Sequence, residues 1–402
     1  MAHREVAKRK PAGRPCRRHE LANGKRRAHE GRVRFDPTCA RQTRRDIVAY
    51  SQWGEEMPNR AKSITAAMIL GSVAITLVGG GAGTASGAVV GPAAGSPTTV
   101  VDVSTSAQLL TALTSVKAGD TINLAAGTYS GTFVGKTSGT AGAPITMTGP
   151  ATAILTNADS SGAIGSGYGF HLEASYWNLT GFTVDNSAKG IVLDGADHDV
   201  LDGLTVENIG DEGIHLREFS SEDIVEHCIV HDTGKKSPGY GEGIYIGTAK
   251  SNWPTYTNGK PDLSNDDQIL DNTLGPNVAA ENIDAKEATV GGVISGNTFS
   301  GKGESGANSS TDVVAVKGND YTVTGNTMTN GLVDGFEVEQ LYKNSGCGNV
   351  FKSNTINLGA SGYGFNVKDQ SSCKTDPNVV GTSNTVTNAK KGASSIPETS
   401  GV

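Results

Sequence analysis

Short runs with a fixed alternation of apolar and polar positions recur along most of the chain. Each resembles Gly-apolar-x-apolar-x, and the closest neighbours are 21 to 23 residues apart. The runs are GFHLE (169–173), GIVLD (190–194), GIHLR (213–217), GIYIG (243–247), NIDAK (282–286), VVAVK (313–317), GFEVE (335–339) and GFNVK (364–368). Alternation with a period of two predicts short strands with one buried face. Because such strands are too short to stand alone, the repeat predicts coils that stack on one another.

A second series marks one turn of each predicted coil. It consists of an asparagine followed by threonine, at Asn272, Asn297, Asn326, Asn354 and Asn384. We call this series the asparagine column, and we expect its side chains to hydrogen-bond along the stack in a structural role. Together the two series predict an all-β, single-stranded, right-handed parallel β-helix that forms one domain over residues 97–394.

The N-terminal end of the predicted β-helix carries a different pattern. Ser and Thr caps precede a Leu-rich amphipathic helix that begins at about Ala107. We expect this helix to cap the open end of the coil, and TINLAAGTY (121–129) to form the first strand.

The segment before the repeats has two parts. Residues 1–56 are rich in arginine and lack apolar periodicity, which indicates a non-native or disordered basic extension; a nucleic-acid-binding arm is the alternative. Residues 57–88 have a basic start, an apolar stretch from Ile64 to Val78, and small residues at Ser86 and Ala88. This layout predicts a signal peptide and a secreted protein. The apolar stretch is too short for a stable membrane span.

Charge and cysteine content change once that segment is set aside. Residues 89–402 carry 34 acidic and 17 basic side chains, a net charge near −17, and Arg217 is their one arginine. Such acidity argues against a nucleic-acid partner and suits a protein that recruits divalent cations. Export permits a disulfide, for which Cys347 and Cys373 are the plausible pair, with Cys228 buried as a small apolar residue.

The register of the runs predicts which side chains share a face. Positions three and five should point outward together. Position three holds His171, Val192, His215, Tyr245, Asp284, Ala315, Glu337 and Asn366; position five holds Glu173, Asp194, Arg217, Gly247, Lys286, Lys317, Glu339 and Lys368. We therefore expect an outward, exposed Lys286, with the bare Gly247 leaving room for a ligand beside it.

The residue just before five successive runs is acidic. We call these residues the acidic column: Glu212, Glu242, Glu281, Asp312 and Asp334. Carboxylates stacked about 4.8 Å apart repel one another unless a cation neutralises them, and hard oxygen ligands favour Ca²⁺. The alternative is a solvated acidic edge, relieved by ion pairs with Lys286, Lys317 and Arg217.

Long loops accompany the same runs. The segments 233–242, 248–267 and 301–311 interrupt the repeat around Lys286, so the predicted site is local to residues 211–343. Aromatic residues of these loops either stack on sugar rings or pack within their own loop. They are Trp253, Tyr256 and Tyr240.

These motifs resemble β-helical polysaccharide lyases. The stretch AGDTINLAAGTYSG…SGTAGAPITMTGP is similar to the opening of polysaccharide lyase family 6, the chondroitinase B and alginate lyase family. That family carries a segment E-x-I-x-x-K with a calcium-binding glutamate and a base lysine, which here are Glu281 and Lys286. Family 9 pectate lyases similarly place their base lysine fifth in a run like NIDAK. Their calcium-binding rung D-D-G-x-D is matched only partly by DEGIH (211–215), where His215 replaces the last acid.

The chain departs from the family 6 pattern at two positions. That family uses a basic residue, usually arginine, one coil after the lysine as the acid, and the nearest one here is Lys317. Its second glutamate, two residues before the metal-binding one, is replaced by Ala279.

The resemblance implies β-elimination on a uronate-containing, acidic extracellular polysaccharide. We expect the protein to be a monomer. We expect Ca²⁺ to be bound by Glu242, Glu281 and Asp284, and Lys286 to act as base. Nearby cations would lower the pKa of Lys286, whereas the acidic column would raise it. The other predicted catalytic residues are Lys317, Arg217 and His215, and the predicted substrate-binding residues are Tyr245, Trp253, Tyr256, Glu337 and Glu339.

Two alternatives stay open. An inverting glycoside hydrolase would need two carboxylates roughly 6.5–9.5 Å apart, which Glu337 and Glu339 beside Asp334 could supply. A non-catalytic carbohydrate-binding or structural solenoid would use the same surface without turnover.

Overall fold

The chain winds through three parallel sheets in a repeating order. The computed structural model describes residues 98–402, so the predicted basic extension (1–56) and signal peptide (57–88) lie outside the described residues. Each coil contributes one strand in turn to sheets A, B and C, and every strand pair within the three sheets is parallel. The predicted parallel β-helix is confirmed.

The elements are short. Sheet A contains Val100–Val103, Thr121–Leu124, Ile145–Thr148, Trp177–Thr180, Val200–Asp202, Ile224–Glu226, Gln268–Leu270, Val293–Ser295, Thr322–Thr324, Val350–Lys352 and Val379–Val380. Sheet B contains Gly127–Ser130, Ala153–Thr156, Thr183–Asp185, Thr205–Glu207, Ile229–His231, Thr273–Leu274, Thr298–Ser300, Thr327–Thr329, Thr355–Ala360 and Thr385–Ala389. Sheet C contains Val134–Gly135, Tyr168–Leu172, Lys189–Asp194, Ile214–Arg217, Ile244–Ile246, Ile283–Ala285, Asp312–Val316, Asp334–Val338, Tyr363–Val367 and Gly392–Ser394. The α-helices are Ser106–Ser115 and Trp253–Tyr256, and 3₁₀ turns are Pro238–Tyr240, Lys250–Asn252 and Ala307–Ser309.

The core is the inside of the coil. Positions two and four of the repeated runs point inward, as in Ile244 and Ile246, and both side chains are fully buried. Towards the C-terminus aromatic rings fill the same space, and Phe336 stacks on Phe365 with 5.3 Å between ring centroids. Because each coil buries its apolar residues only against its neighbours, stability comes from stacking.

The asparagine column forms as predicted. Asn297 Oδ1 accepts hydrogen bonds from the backbone N–H of Asn272 (2.9 Å) and from its Nδ2 (3.0 Å), and the Nδ2 of Asn297 in turn reaches Asn326 at 3.0 Å. The same pattern continues to Asn354 and Asn384. Each amide is both donor and acceptor, so every member satisfies its neighbour.

The N-terminal helix packs on the first coils. Thr105 caps Ser106–Ser115 by accepting a hydrogen bond from the backbone N–H of Gln108 at 3.2 Å, and Leu109 and Leu113 are buried in the core. The prediction that the first strand follows this helix is wrong, because Val100–Val103 precedes it and pairs with Thr121–Leu124. No helix within residues 98–402 has the length and apolarity needed to cross a membrane.

Coils of very different length keep the same register. Asp199 and Asp223 are 24 residues apart, and Asp223 and Asp267 are 44 residues apart, yet both pairs make the same backbone-to-carboxylate hydrogen bond. The extra residues leave the coil at the edges of sheet C. Segments 232–243 and 301–311 lie between sheets B and C, and segment 247–267 lies between sheets C and A.

One disulfide joins two further loops beside sheet C. Cys347 and Cys373 are bonded, as predicted, with 2.07 Å between the sulfur atoms. Cys228 is a buried free thiol, which is also as predicted. The bond ties the segment after Asp334–Val338 to the segment after Tyr363–Val367.

Candidate active site on sheet C

Sheet C brings the third residues of the runs into one column, as the sequence predicts. His215, Tyr245 and Asp284 are successive Cα partners, and Ala315 and Glu337 continue the column. The exposed fractions of Tyr245 and Asp284 are only 7% and 1%. These side chains therefore lie on the predicted outer face of sheet C, but this part of the face is covered.

Two lysines converge on one buried carboxylate. Lys317 Nζ lies 2.8 Å from both oxygens of Asp284, and Lys286 Nζ lies 2.6 Å from Oδ2. Lys317 also reaches Glu281 Oε1 at 3.7 Å. The side chains of Lys286 and Lys317 are 12% and 7% exposed. The expected exposed ion pair is instead a nearly dry cluster.

The acidic column is buried as well. Its five members are between 2% and 7% exposed, which rules out the solvated acidic edge. Glu212 pairs with Lys189, whereas Glu242 Oε2 and Asp312 Oδ2 are buried without any hydrogen-bond partner. Burial, followed by repulsion from Glu281, raises the pKa of Glu242 and the pKa of Asp312. A buried acceptor with no donor calls for a proton or a cation.

The charges of this cluster do not balance. Four carboxylates (Glu242, Glu281, Asp284 and Asp312) face two ammonium groups, so full ionisation leaves two negative charges uncompensated. One ligand atom each from Glu242, Glu281 and Asp284 can be chosen within 4.8 Å of one another. The orphaned Glu242 oxygen, the hard oxygen donors and the surplus charge all fit one divalent cation. Asp284 would have to share its oxygens with the lysines.

Both lysines are held as ammonium ions. Burial disfavours the charge on Lys286, but Asp284 more than offsets this, so the pKa of Lys286 is raised above its ordinary value. The pKa of Lys317 is raised by the same opposition of burial and Asp284. Of the two opposing effects expected on the pKa of Lys286, the raising effect of the carboxylates outweighs the lowering effect of nearby cations in this arrangement.

His215 and Tyr245 form a neutral pair beside the lysines. Their rings are 4.3 Å apart, and Lys286 Nζ lies 5.1 Å from the Tyr245 ring centroid. His215 Nε2 lies 2.9 Å from the carbonyl oxygen of Gly247, so Nε2 carries the ring proton and donates it. The buried Nδ1 has no hydrogen-bond partner. Burial, then Arg217, lowers the pKa of His215, and burial, then Asp284, raises the pKa of Tyr245. Both side chains are uncharged at neutral pH.

Arg217 is enclosed rather than offered to solvent. It is 3% exposed, its Nη2 lies 3.0 Å from Asp194 Oδ2, and its Nε pairs with Oδ1. Burial opposes ionisation of Asp194, but hydrogen bonds from His171 and Arg217 hold its pKa at about 2. The Tyr256 ring covers the guanidinium at 4.2 Å, which occupies one of the ring faces predicted to stack on sugars.

Gly247 does not leave a gap for a ligand. A Cβ atom there would lie 2.6 Å from the methyl group of Thr289, and the residue has φ +73°. The glycine is required by its left-handed backbone and by Thr289, so the predicted space beside Lys286 is already filled.

Trp253 is buried between its own loop and the loop that carries Tyr342. It is 4% exposed, its ring N–H donates to the carbonyl of Thr248 at 2.8 Å, and its ring meets that of Tyr342 edge-on at 5.0 Å. Because so little of Trp253 is exposed, its predicted stacking on a sugar is not supported, and packing among loop residues is the alternative observed.

Glu337 and Glu339 share one lysine. Lys368 Nζ lies 2.5 Å from Glu337 and 2.7 Å from Glu339. An ammonium group thus stands where an inverting hydrolase would hold a water between its carboxylates. Asp334 accepts hydrogen bonds from the backbone N–H of Tyr363 and from Asn366. The structure does not favour the hydrolase alternative.

Two further residues of this region are not among the residues predicted from the sequence. Glu304 lies in the loop 301–311. Burial raises the pKa of Glu304 to about 8, and repulsion from the charge of Glu281 adds to this. An acidic residue in a glycine-rich loop beside the Lys286 run is the sequence feature that indicates Glu304. Ser345 accepts a hydrogen bond from the backbone N–H of Ala288 at 3.1 Å, and only its nearness to Cys347 marked it.

Comparison with known proteins fits this fold. Residues 90–257 match the family described as "Pel9A-like, right handed beta helix region". A search of curated proteins returned no match. Two structures of low identity show the fold alone. Pectate lyase Pel9A is 17% identical, with TM-score 0.55, over 76% of this chain and 83% of that one. The family 28 exopolygalacturonase of Yersinia enterocolitica is 13% identical, with TM-score 0.50, over 73% and 67%.

A third structure is more similar in sequence. The alginate lyase from Paenibacillus sp. str. FPU-7 is 35% identical, with TM-score 0.67, and the match covers 73% of this chain and 97% of that enzyme. Nearly the whole length of that protein is therefore represented here. The chain belongs to the same family as this alginate lyase, a family of right-handed parallel β-helix proteins of the polysaccharide-lyase type.

Proposed function

We propose that the protein is a secreted lyase that cleaves a uronate-containing polysaccharide by β-elimination, with alginate as the first substrate to test. The observation that carries the proposal is the buried cluster of Lys286, Lys317 and Asp284 beside Tyr245. Its placement on sheet C, between long loops, in a chain 35% identical to an alginate lyase supports it.

Lys286 is the proposed base. To accept the C5 proton of a uronate it must first be a free amine, which requires Asp284 to be held by another cation. Lys317 meets this requirement because it reaches both oxygens of Asp284 by itself, at 2.8 Å. Lys286, the more exposed of the two lysines, can then release its ammonium proton to solvent and turn towards substrate while Asp284 stays paired.

Tyr245 is the proposed acid. Its raised pKa keeps the phenol protonated, and its ring lies directly beside the Lys286 ammonium group. A protonated phenol one coil away from the base can donate to the leaving oxygen of the glycosidic bond. Lys317, predicted as the acid, is committed to Asp284, and we assign it the role of holding that carboxylate.

Calcium is the proposed cofactor, bound by Glu242, Glu281 and Asp284. When bound, it would supply positive charge that stabilises the charge developing on the uronate carboxylate. These three residues would hold it because Glu242 has an unpartnered oxygen and the cluster has surplus negative charge.

The experiment measures ultraviolet absorbance of the unsaturated product on alginate, pectate and other uronate polymers, with calcium or EDTA. Lys286→Ala should reduce turnover at least ~100-fold, the usual share of a general base. Lys302→Ala, which changes an exposed loop lysine, is the matched control. Because Lys286 is mostly buried, the melting temperature of each variant must be measured alongside. Normal turnover by a folded Lys286→Ala variant would reject the assignment, and silence on every polymer would favour the non-catalytic solenoid.

A further inference from the structure

The turn that follows Lys286 is held from outside the coil. Ala288, two residues after Lys286, has φ +80°, a conformation that a side chain with a Cβ seldom adopts. Its backbone N–H donates to the hydroxyl oxygen of Ser345 at 3.1 Å. Thr289 closes the turn by donating from Oγ1 to the carbonyl of Lys286 at 2.7 Å. A strained turn of this kind persists only when its surroundings fix it.

The same hydroxyl group reaches the second lysine. Ser345 Oγ donates to the backbone carbonyl of Lys317, and the residue is 1% exposed. One buried oxygen atom therefore links the backbone of the turn after Lys286 to the backbone of Lys317. These are the two lysines that share Asp284.

The loop that carries Ser345 is itself anchored. Cys347, two residues further on, is bonded to Cys373. On its other side, Tyr342 packs against Trp253 of the loop 248–267. That loop is in turn attached to the Lys286 turn, because the backbone N–H of Lys250 donates to Glu287 at 2.7 Å.

We propose that Ser345 is a positioning residue that sets the separation of Lys286 from Lys317 through the backbone of both. The role rests on the proposed lyase function. Without the hydroxyl, the Ala288 N–H loses its acceptor, the strained turn relaxes, and Lys286 no longer meets the substrate in a fixed place. A displacement of about 1 Å at a catalytic group is enough to slow turnover strongly.

The test compares Ser345→Ala with Ser345→Thr in the full chain with its disulfide intact. Ser345→Ala should lower kcat about tenfold and leave KM within about twofold, because orientation and not binding is lost. Hydrogen exchange of the Ala288 amide should become at least about tenfold faster, while amides of the asparagine column keep their protection. Ser345→Thr keeps the hydroxyl and should restore both quantities. Ser371→Ala, which changes an exposed serine near the same disulfide, is the matched control.

The outcomes separate the two proposals. A wild-type protein without lyase activity would reject the proposed function. Amide exchange at Ala288 would still test whether Ser345 fixes the turn after Lys286. An active wild type with unchanged kcat in Ser345→Ala would overturn the positioning role. Unchanged exchange at Ala288, or a uniform rise in exchange along the whole coil, would overturn it too.

Discussion

Two columns of like side chains run along the coil, and each places identical polar groups on successive layers. In the asparagine column, each amide donates to the next and accepts from the one before, as between Asn297 and Asn326 at 3.0 Å. In the acidic column, Glu242 and Asp312 each keep a buried oxygen with no partner. A carboxylate can only accept, so a stack of carboxylates needs protons or cations from elsewhere. The column that satisfies itself is structural, and the one that does not is where chemistry can occur.

The largest expected effect comes from removing the ammonium group that Glu281 of the acidic column shares with Asp284. Lys317→Met should lower the free energy of unfolding by about 3–5 kcal/mol, because buried carboxylates lose their partner. Chemical denaturation measures the loss, with Lys302→Met as the exposed control. A loss below about 1 kcal/mol, the size of a surface ion pair, would contradict a buried charge cluster.

The second prediction puts a carboxylate into the asparagine column. Asn297→Asp removes the donor to the carbonyl of Ile269 and sets an oxygen against Asn326 Oδ1. We expect a loss of about 2 kcal/mol in the free energy of unfolding at neutral pH, the cost of unsatisfied buried groups. Asn357→Asp is the control, because Asn357 is exposed and its side chain already acts as an acceptor for Asn388. Equal stability of the two variants would remove the distinction between the columns.

The third prediction adds a cation to the acidic column. A divalent ion that binds the folded state stabilises it by about 1.4 kcal/mol at ten times its dissociation constant. Calcium should therefore raise the melting temperature of the wild type, and Glu281→Gln should largely abolish the increase. Glu222→Gln, whose side chain is 60% exposed, should leave it intact. Identical melting temperatures in EDTA and in millimolar calcium would count against the calcium site.

A third stack of polar side chains, made of aspartates, is satisfied less fully than the asparagine column and more fully than the acidic column. Asp199, Asp223 and Asp267 precede successive strands of sheet A, where Asn349 and Asn378 stand further along. Asp199 Oδ1 accepts the backbone N–H of Trp177 at 2.6 Å, but the Oδ2 atoms of all three aspartates are buried without a partner. Burial raises the pKa of Asp199 to about 8. These aspartates stand at the position that asparagines occupy before later strands of sheet A, but an ionised aspartate has no N–H group to donate.

The smallest predicted effect follows from that pKa. An unfolded aspartate has a pKa of about 3.9, so the folded state binds this proton more tightly. Its contribution to stability is fully present below about pH 4 and is lost as the pH rises towards about 8. Asp199→Asn should therefore stabilise the protein by at least about 1 kcal/mol at pH 8 and hardly at pH 4. Thermal unfolding at both pH values tests this, with the exposed Asp271→Asn as control. A gain independent of pH would show that Asp199 does not carry the proton.

The sequence predicts correctly those features that repeat once in every coil. The Gly-apolar-x-apolar-x runs predict the register of His215, Tyr245 and Asp284 on sheet C, because a period of two leaves only one way to bury Ile244 and Ile246. The Asn-Thr series likewise predicts the asparagine column. The predicted pairing of Cys347 with Cys373 is confirmed.

What the sequence could not give depends on the loops. Periodicity says that Lys286 faces away from the core, but not that a covering loop leaves its side chain 12% exposed. That burial strengthens the effect of Asp284, so of the two opposing effects on the Lys286 pKa the raising one wins. The choice between sugar stacking and packing for Trp253 likewise cannot be made from the sequence, since its contact with Tyr342 joins loops far apart in sequence. Val100–Val103 was missed because no repeated run marks it.

The register that holds across coils of 24 and 44 residues has a consequence for how this protein can change over generations. An insertion at the edge of sheet C disturbs neither the strands before it nor those after it, because each coil pairs only with its neighbours. Closing a longer loop costs little, about 0.6 kcal/mol for each doubling of its length. Selection can therefore lengthen, shorten or exchange the segments around the lysines one at a time. New surfaces around the lysines become reachable by small steps that never pass through an unfolded ancestor.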